Sequence, residues 1–148
     1  MNIQGLLLTI LTITLVVSPL SIQAATDECP IVLEMEAIDV AGVSHRGGWD
    51  GVYSAFNIYG PCDDGAIAEG FSYSIMTLLA QAWESLPRLS ELLQNDSQFD
   101  KFLFRHIDAT ASRDELQTII SNSRNCLANY EDLCGRILVA AEEAMRNL

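Results

Sequence analysis

The segment from Ala66 to Trp83 constrains the fold more than any other part of the chain. A helix that is apolar most of the way round is usually central and buried. The apolar residues of this segment form two rows at helical spacing, namely Ile67, Phe71, Ile75, Leu78 and Ala82, and Met76, Ala80 and Trp83. We therefore expect a core helix here, around which the rest of the chain packs.

Shorter amphipathic segments lie on both sides of this core helix. Residues 27–44 alternate as a strand would, but they are rich in good helix formers, so a helix is favoured. Other helices are predicted over 49–59, after Ser85, after Ser97, after Ser112 and over 130–147. The patterns together predict an all-α fold, a compact bundle of five or six short helices with no clear strand.

Several residues are suited to cap these helices. Asp63 or Asp64 is a natural N-cap for the core helix, because a carboxylate accepts hydrogen bonds from free backbone N–H groups. Ser97 is placed to cap a short helix in the same way. Ser112 and Glu115 match a capping box, which predicts a helix start at this position.

The first residues are typical of an export signal. Leu6 to Leu20 is an almost unbroken apolar run, and the small residues Ala24 and Ala25 follow it. This order predicts a signal peptide over 1–24 and one mature helical domain over 25–148, periplasmic or secreted and free of the membrane after cleavage. The alternative is a retained membrane anchor, although the run is short for a bilayer span.

Four cysteines follow the predicted signal: Cys29, Cys62, Cys126 and Cys134. An even number in a small exported domain predicts two disulfides. Proximity in the chain favours the pairs Cys29–Cys62 and Cys126–Cys134 among the three possible pairings. The spacings match no common zinc motif, so we predict neither a metal nor another cofactor.

The formal net charge of −12 bears on the choice of partner. An acidic protein is repelled by nucleic acid and by anionic membrane surfaces. The charge suits either solubility alone or a basic protein partner.

The segment from Cys62 to Gly70 holds the first candidate site. Asp63, Asp64 and Glu69 could bind a hard cation such as Ca²⁺ through oxygen, although they do not follow an EF-hand pattern. The favoured alternative is a disulfide anchor and a helix cap, with Gly65 easing the turn.

The second candidate is the run from Arg105 to Asp108. His106 could act as a base that Asp108 orients, but the sequence offers no nucleophile beside it. The favoured alternative is a helix C-terminus, where Arg105 and His106 complement the helix dipole. His45 is the other histidine of the chain, so a site with several histidines is excluded.

Aromatic residues offer a candidate interface. Trp and Tyr are frequent anchors of protein interfaces, and Tyr73 and Trp49 are the candidates here. Tyr73 lies between Phe71 and Ile75 and points away from their row. The alternative is core packing, which a small domain needs.

The run YGPCDDGAIAEGFS, from Tyr59 to Ser72, resembles a motif of small uncharacterised exported proteins of proteobacteria. Leu86-Pro87 and the residues from Arg105 to Asp108 are similar to later parts of the same group. The resemblance implies a bacterial, periplasmic setting and carries over no catalytic residue.

These features favour an exported, non-enzymatic interaction protein, such as an immunity protein or an inhibitor that binds a basic protein. One alternative is a metal-binding protein or small enzyme that uses Asp63, Asp64 and Glu69, or His106 and Asp108. A second alternative is a periplasmic stress chaperone that opens in acid as its carboxylates are neutralised.

Overall fold

The apolar segment at the middle of the chain forms a buried helix from Gly65 to Gln81, which begins one residue earlier and ends two residues earlier than predicted. The computed structural model describes residues 29–148. The predicted signal peptide of residues 1–24 and its cleavage point therefore lie outside the described residues.

Residues 29–148 form seven α-helices and no strand, which confirms the predicted all-α class with one or two helices more than expected. Segment 27–44, which was ambiguous by pattern, contributes a helix. Short 3-10 turns at Ser44–Gly47, Gly60–Cys62 and Trp83–Ser85 join the first four helices. In chain order the helices are α1 (Ile31–Ala41), α2 (Gly48–Tyr59), α3 (Gly65–Gln81), α4 (Leu86–Asn95), α5 (Ser97–Arg105), α6 (Arg113–Arg124) and α7 (Glu131–Arg146).

Helix α3 lies at the centre of the packing. It contacts α1, α2 and α6, while α6 packs along α7 and α4 packs against α5 and α2. One core of buried apolar side chains runs through all of these contacts. Within residues 29–148, no helix combines the length and the hydropathy that crossing a membrane requires.

Aromatic rings join α5 to the rest of the core. Phe102 of α5 packs against Phe56 of α2 and Phe71 of α3, with ring centroids 4.7 and 4.9 Å apart. Phe99 packs 5.0 Å from Tyr53 of α2. Such ring pairs add to the apolar area that they bury. They fix the C-terminal end of α5 against α3, which positions the site described below.

Both predicted disulfides are present. Cys29 and Cys62 join the residues before α1 to the turn before α3, with their Cα atoms 4.5 Å apart. Cys126 and Cys134 close the connection between α6 and α7, with their Cα atoms 5.9 Å apart. The choice of pairs by proximity in the chain is therefore confirmed.

Two of the three predicted caps are confirmed. Asp64 is the N-cap of α3 and accepts a hydrogen bond from the Gly65 amide at 2.8 Å. Ser112 and Glu115 form the predicted capping box of α6. The expectation for Ser97 is wrong, because Asp96 is the N-cap of α5 and Ser97 is its first residue.

The Asp96 carboxylate is held by three donors. Its Oδ1 accepts from the amides of Gln98 and Phe99, at 2.8 and 3.1 Å, and its Oδ2 accepts from the Tyr53 hydroxyl at 3.1 Å. The hydrogen bond from the Phe99 amide holds the pKa of Asp96 below its ordinary value, and those from Gln98 and Tyr53 act in the same direction.

This lowered pKa predicts a pH dependence of stability. Asp96→Asn keeps a good N-cap but removes the titrating charge, so we expect it to lower the free energy of unfolding by about 0.5–1 kcal/mol at pH 7. A carboxyl whose pKa is depressed by folding stabilises above its unfolded value, about 3.9, and loses this effect as the pH falls through the folded value. Urea unfolding of both proteins from pH 7 to pH 3 should show the difference shrinking; a constant difference would contradict the assignment.

Candidate functional site

Asp63 lies where the turn before α3 meets the C-terminal end of α5. The disulfide at Cys62 fixes the residue before it, and Asp64 caps α3 directly after it. The Asp63 amide donates to the carbonyl of Gly60 at 3.2 Å. Its side chain is buried and contacts both Arg105 and His106 through Oδ2. The local backbone thus directs one carboxylate of this acidic run inward.

His106 is the C-cap residue of α5, and its ring is buried. The ring packs against Phe102, with centroids 4.4 Å apart. Its Nε2 lies 3.1 Å from Oδ2 of Asp63, and its Nδ1 lies 2.9 Å from the hydroxyl oxygen of Ser72. The imidazole therefore bridges the turn before α3 to the interior of α3 itself.

Ser72 extends the chain of hydrogen bonds to Asp108. Its hydroxyl donates to Oδ2 of Asp108 at 2.8 Å. The other carboxylate oxygen, Oδ1, accepts from the backbone amide and the hydroxyl of Thr110, at 2.9 and 2.5 Å. The turn after α5 is thereby tied to α3. We call Asp63, His106, Ser72 and Asp108 the buried network, which the exposed Arg105 contacts through Asp63.

The contacts around His106 use both of its ring nitrogens. Ser72 donates its hydroxyl proton to Asp108 and contacts Nδ1 through the same oxygen. Nε2 faces Oδ2 of Asp63. The other carboxylate oxygen of Asp63, Oδ1, is buried and has no hydrogen-bond partner among residues 29–148.

The structure brings together residues that the sequence placed in separate candidates. Asp63, His106 and Asp108 join one network, which Arg105 contacts, and the predicted position of His106 at a helix C-terminus is correct. The less favoured alternative, a His106 oriented by Asp108, differs from the structure: the carboxylate that contacts the ring is Asp63, and Asp108 is reached through Ser72.

Asp64, Gly65 and Glu69 stay outside the buried network. Asp64 is an exposed cap, Gly65 begins α3 with a φ of +50°, and the Glu69 side chain faces solvent. Asp63, Asp64 and Glu69 therefore do not converge as the less favoured alternative, a cation site, would require, and Asp64 serves as the favoured helix cap. Within residues 29–148, no three His, Cys, Asp or Glu side chains converge as ligands of a metal would.

Ser72 is the residue that sequence reasoning missed. Ser72 lies 34 positions from His106, so no local pattern connects the two residues. The sequence nevertheless contains an indication: Ser72 and Ser74 lie beside the apolar residues Phe71 and Ile75 in a helix expected to be buried, and a buried hydroxyl needs a hydrogen-bond partner. Ser74 meets this need by donating to the carbonyl of Ala41 at 2.6 Å.

The candidate interface residues divide into one exposed and one buried ring. Tyr73 is 55% exposed, as predicted, and its ring meets the edge of His45 at 5.4 Å. Trp49 is 3% exposed and packs in the core, so it is removed from the candidate interface. Its position at the start of α2 places it on the side of that helix that faces the core, together with Val52.

The order Ser72, His106, Asp63 invites comparison with a hydrolytic triad, but the surroundings differ in three ways. The Ser72 hydroxyl donates to Asp108 and not to the histidine. Ser72 also lies inside α3, where the neighbouring N–H groups are used in the helix and cannot hold an oxyanion. The adjoining groove, of about 350 Å³, is bordered by Glu69 and Glu115, whose charge opposes a developing oxyanion.

Comparison of the chain with protein-family models, with curated proteins and with solved structures gives no match. The function is therefore inferred from the molecule itself. Two features matter most for that purpose: the buried network around His106 and a large excess of carboxylates.

Proposed function

We propose that this chain is an exported, non-enzymatic protein that binds another protein with a basic surface, as an immunity protein or an inhibitor does. One observation carries the proposal. Eighteen Asp and Glu residues lie between residues 29 and 148, and five of them contact an arginine, which leaves thirteen without a cationic partner in that range. A binding partner can supply the missing positive charge.

The buried network supports a binding role over a catalytic one. Its hydrogen bonds join the turn before α3, α3 itself and the end of α5, and both ring nitrogens of His106 have partners in them. A reaction centre needs a group that is free to attack or to exchange a proton with a substrate. The network holds three segments in place, and the surface is left to carry the function.

The excess charge also suggests how recognition begins. Complementary charge steers diffusing partners together and raises the association rate, and salt screens this effect. A basic partner would therefore meet this protein quickly at low ionic strength and more slowly at high ionic strength. The two disulfides suit the periplasmic or secreted setting that we propose for this encounter.

The test is affinity capture from the native compartment at low salt, followed by elution with a step to about 0.5 M salt, where the screening length falls to a few ångströms. We expect a reproducible partner of high isoelectric point that elutes in this step. Calorimetric titration with Ca²⁺, Mg²⁺ and Zn²⁺ serves as the contrasting measurement. Failure to recover any partner would contradict the proposal. A clear heat of binding for one of the metal ions would favour the metal-binding alternative instead.

A further inference from the structure

Helix α1 presents apolar side chains to solvent on the side opposite its packing. Val32 is 85% exposed, Met35 77% and Ile38 46%. Their spacing of three residues places them in one oblique row on the outside of the helix. The inward side is formed by Ala37 and Ala41, which are fully buried. A row of large exposed apolar side chains on one helix is typical of an interaction surface.

Negative charge borders this row. Glu34, Glu36 and Asp39 are all exposed on the same helix. The chain has no Lys or Arg before Arg46, and none of these three carboxylates contacts a basic side chain within residues 29–148. We call these three residues, together with Val32, Met35 and Ile38, the outer face of α1.

The outer face is held on a fixed support. The Cys29–Cys62 disulfide anchors the chain two residues before α1 begins. At the other end, a Cβ on Gly70 of α3 would lie 2.9 Å from the Gly42 nitrogen, so the two backbones are in close contact there. A helix fixed at both ends loses little conformational freedom when a partner binds, which favours affinity.

We propose that the outer face of α1 is the surface on which the basic partner docks, through an apolar groove or patch bordered by Lys and Arg side chains. This inference rests on the proposed function and adds the site to it. Met35 at the middle of the row would fill the apolar part of that groove, since the flexible thioether adapts to irregular surfaces. Glu34, Glu36 and Asp39 would pair with the surrounding cations.

The negative charge of the outer face of α1 argues against other molecules or segments that could cover it. Residues 1–28 contain Asp27 and Glu28 and no Lys or Arg, so they cannot neutralise the outer face. A second copy of the chain would place the same carboxylates opposite one another, and like charges across an interface are unfavourable. An anionic membrane surface is repelled for the same reason.

The test places a photo-crosslinking phenylalanine derivative at Met35 in the full chain, expressed in its native organism. The matched control carries the same probe at Val139, which is 64% exposed on α7 and bordered by Glu143. We expect a crosslink at position 35, and not at 139, to a protein of high isoelectric point. A crosslink at 35 to a second copy, or to residues 1–28, would overturn the proposal.

A binding measurement with the crosslinked protein completes the test. Met35→Ser should weaken its binding by about tenfold, the effect of losing one central apolar contact, while Val139→Ser should leave it unchanged. If the basic partner crosslinks at 139 and not at 35, the proposed function stands and the docking surface is wrong. If no basic protein is captured at either position or by affinity, both are wrong.

Discussion

Replacing Cys29 and Cys62 together by alanine is expected to lower the free energy of unfolding by about 4 kcal/mol, whereas the same change at Cys126 and Cys134 should lower it by about 2.5 kcal/mol. The difference follows from loop length, because the first bridge joins residues 33 positions apart and the second joins residues 8 positions apart. A bridge that closes a longer loop removes more conformational freedom from the unfolded chain.

The two double variants should also differ in which helix loses its protection from hydrogen exchange. Within residues 32–41 of α1, Ala37 and Ala41 are fully buried, and the larger Leu33 and Val40 pack against the core only partly buried, so the apolar area that holds this helix without the first bridge is modest. Hydrogen exchange should then show α1 losing protection before the other helices. Urea unfolding gives the two free energies. Equal losses for both pairs, or unchanged protection of α1, would contradict this account of the first bridge.

Asp63→Asn is expected to lower the free energy of unfolding by about 1.5–3 kcal/mol, while the neighbouring Asp64→Asn should change it by less than about 0.5 kcal/mol. The Asp63 side chain is buried against His106, and an amide in its place weakens a hydrogen bond to a charged group in the interior. Asp64 is an exposed N-cap of α3, and asparagine caps a helix as well as aspartate does.

A further variant separates the contributions of the two residues that contact the Asp63 carboxylate, Arg105 and His106. Arg105 is mostly exposed, and exposed ion pairs contribute about 0–1 kcal/mol, so Arg105→Ala should have a small effect. Urea unfolding at constant pH and salt compares the three proteins. A loss for Arg105→Ala as large as that for Asp63→Asn would show that the surface pair, and not the contact with His106, makes Asp63 important.

Several features of the fold could be predicted because their causes are local. The burial of α3 follows from apolar residues on most sides of one segment, and the caps at Asp64 and Ser112 follow from side chains that bond the next amides. The disulfide pairs agree with proximity in the chain. Ser97 shows the limit of such arguments, because Asp96 stands one position earlier and offers a carboxylate for the same amides.

The candidate site is formed by contacts between residues that are far apart in the sequence, and local sequence patterns do not predict such contacts. Asp63 and His106 are 43 positions apart, and Ser72 and His106 are 34 positions apart. Sequence identified His106 and its helix end, but the packing of α5 on α3 selected Asp63 and Ser72 as its partners. The burial of Trp49 was decided in the same way, by which side of α2 the core covers.

The sequence by itself determined the all-α class, two of the three caps, the presence of two disulfides and the excess of negative charge, because each arises from residue types and from spacing along the chain. Only the tertiary structure decided which carboxylate is buried against His106 and which apolar row of α1 is exposed to solvent. Periodicity shows that a helix has apolar positions, but only the neighbouring helices determine which of these positions they cover.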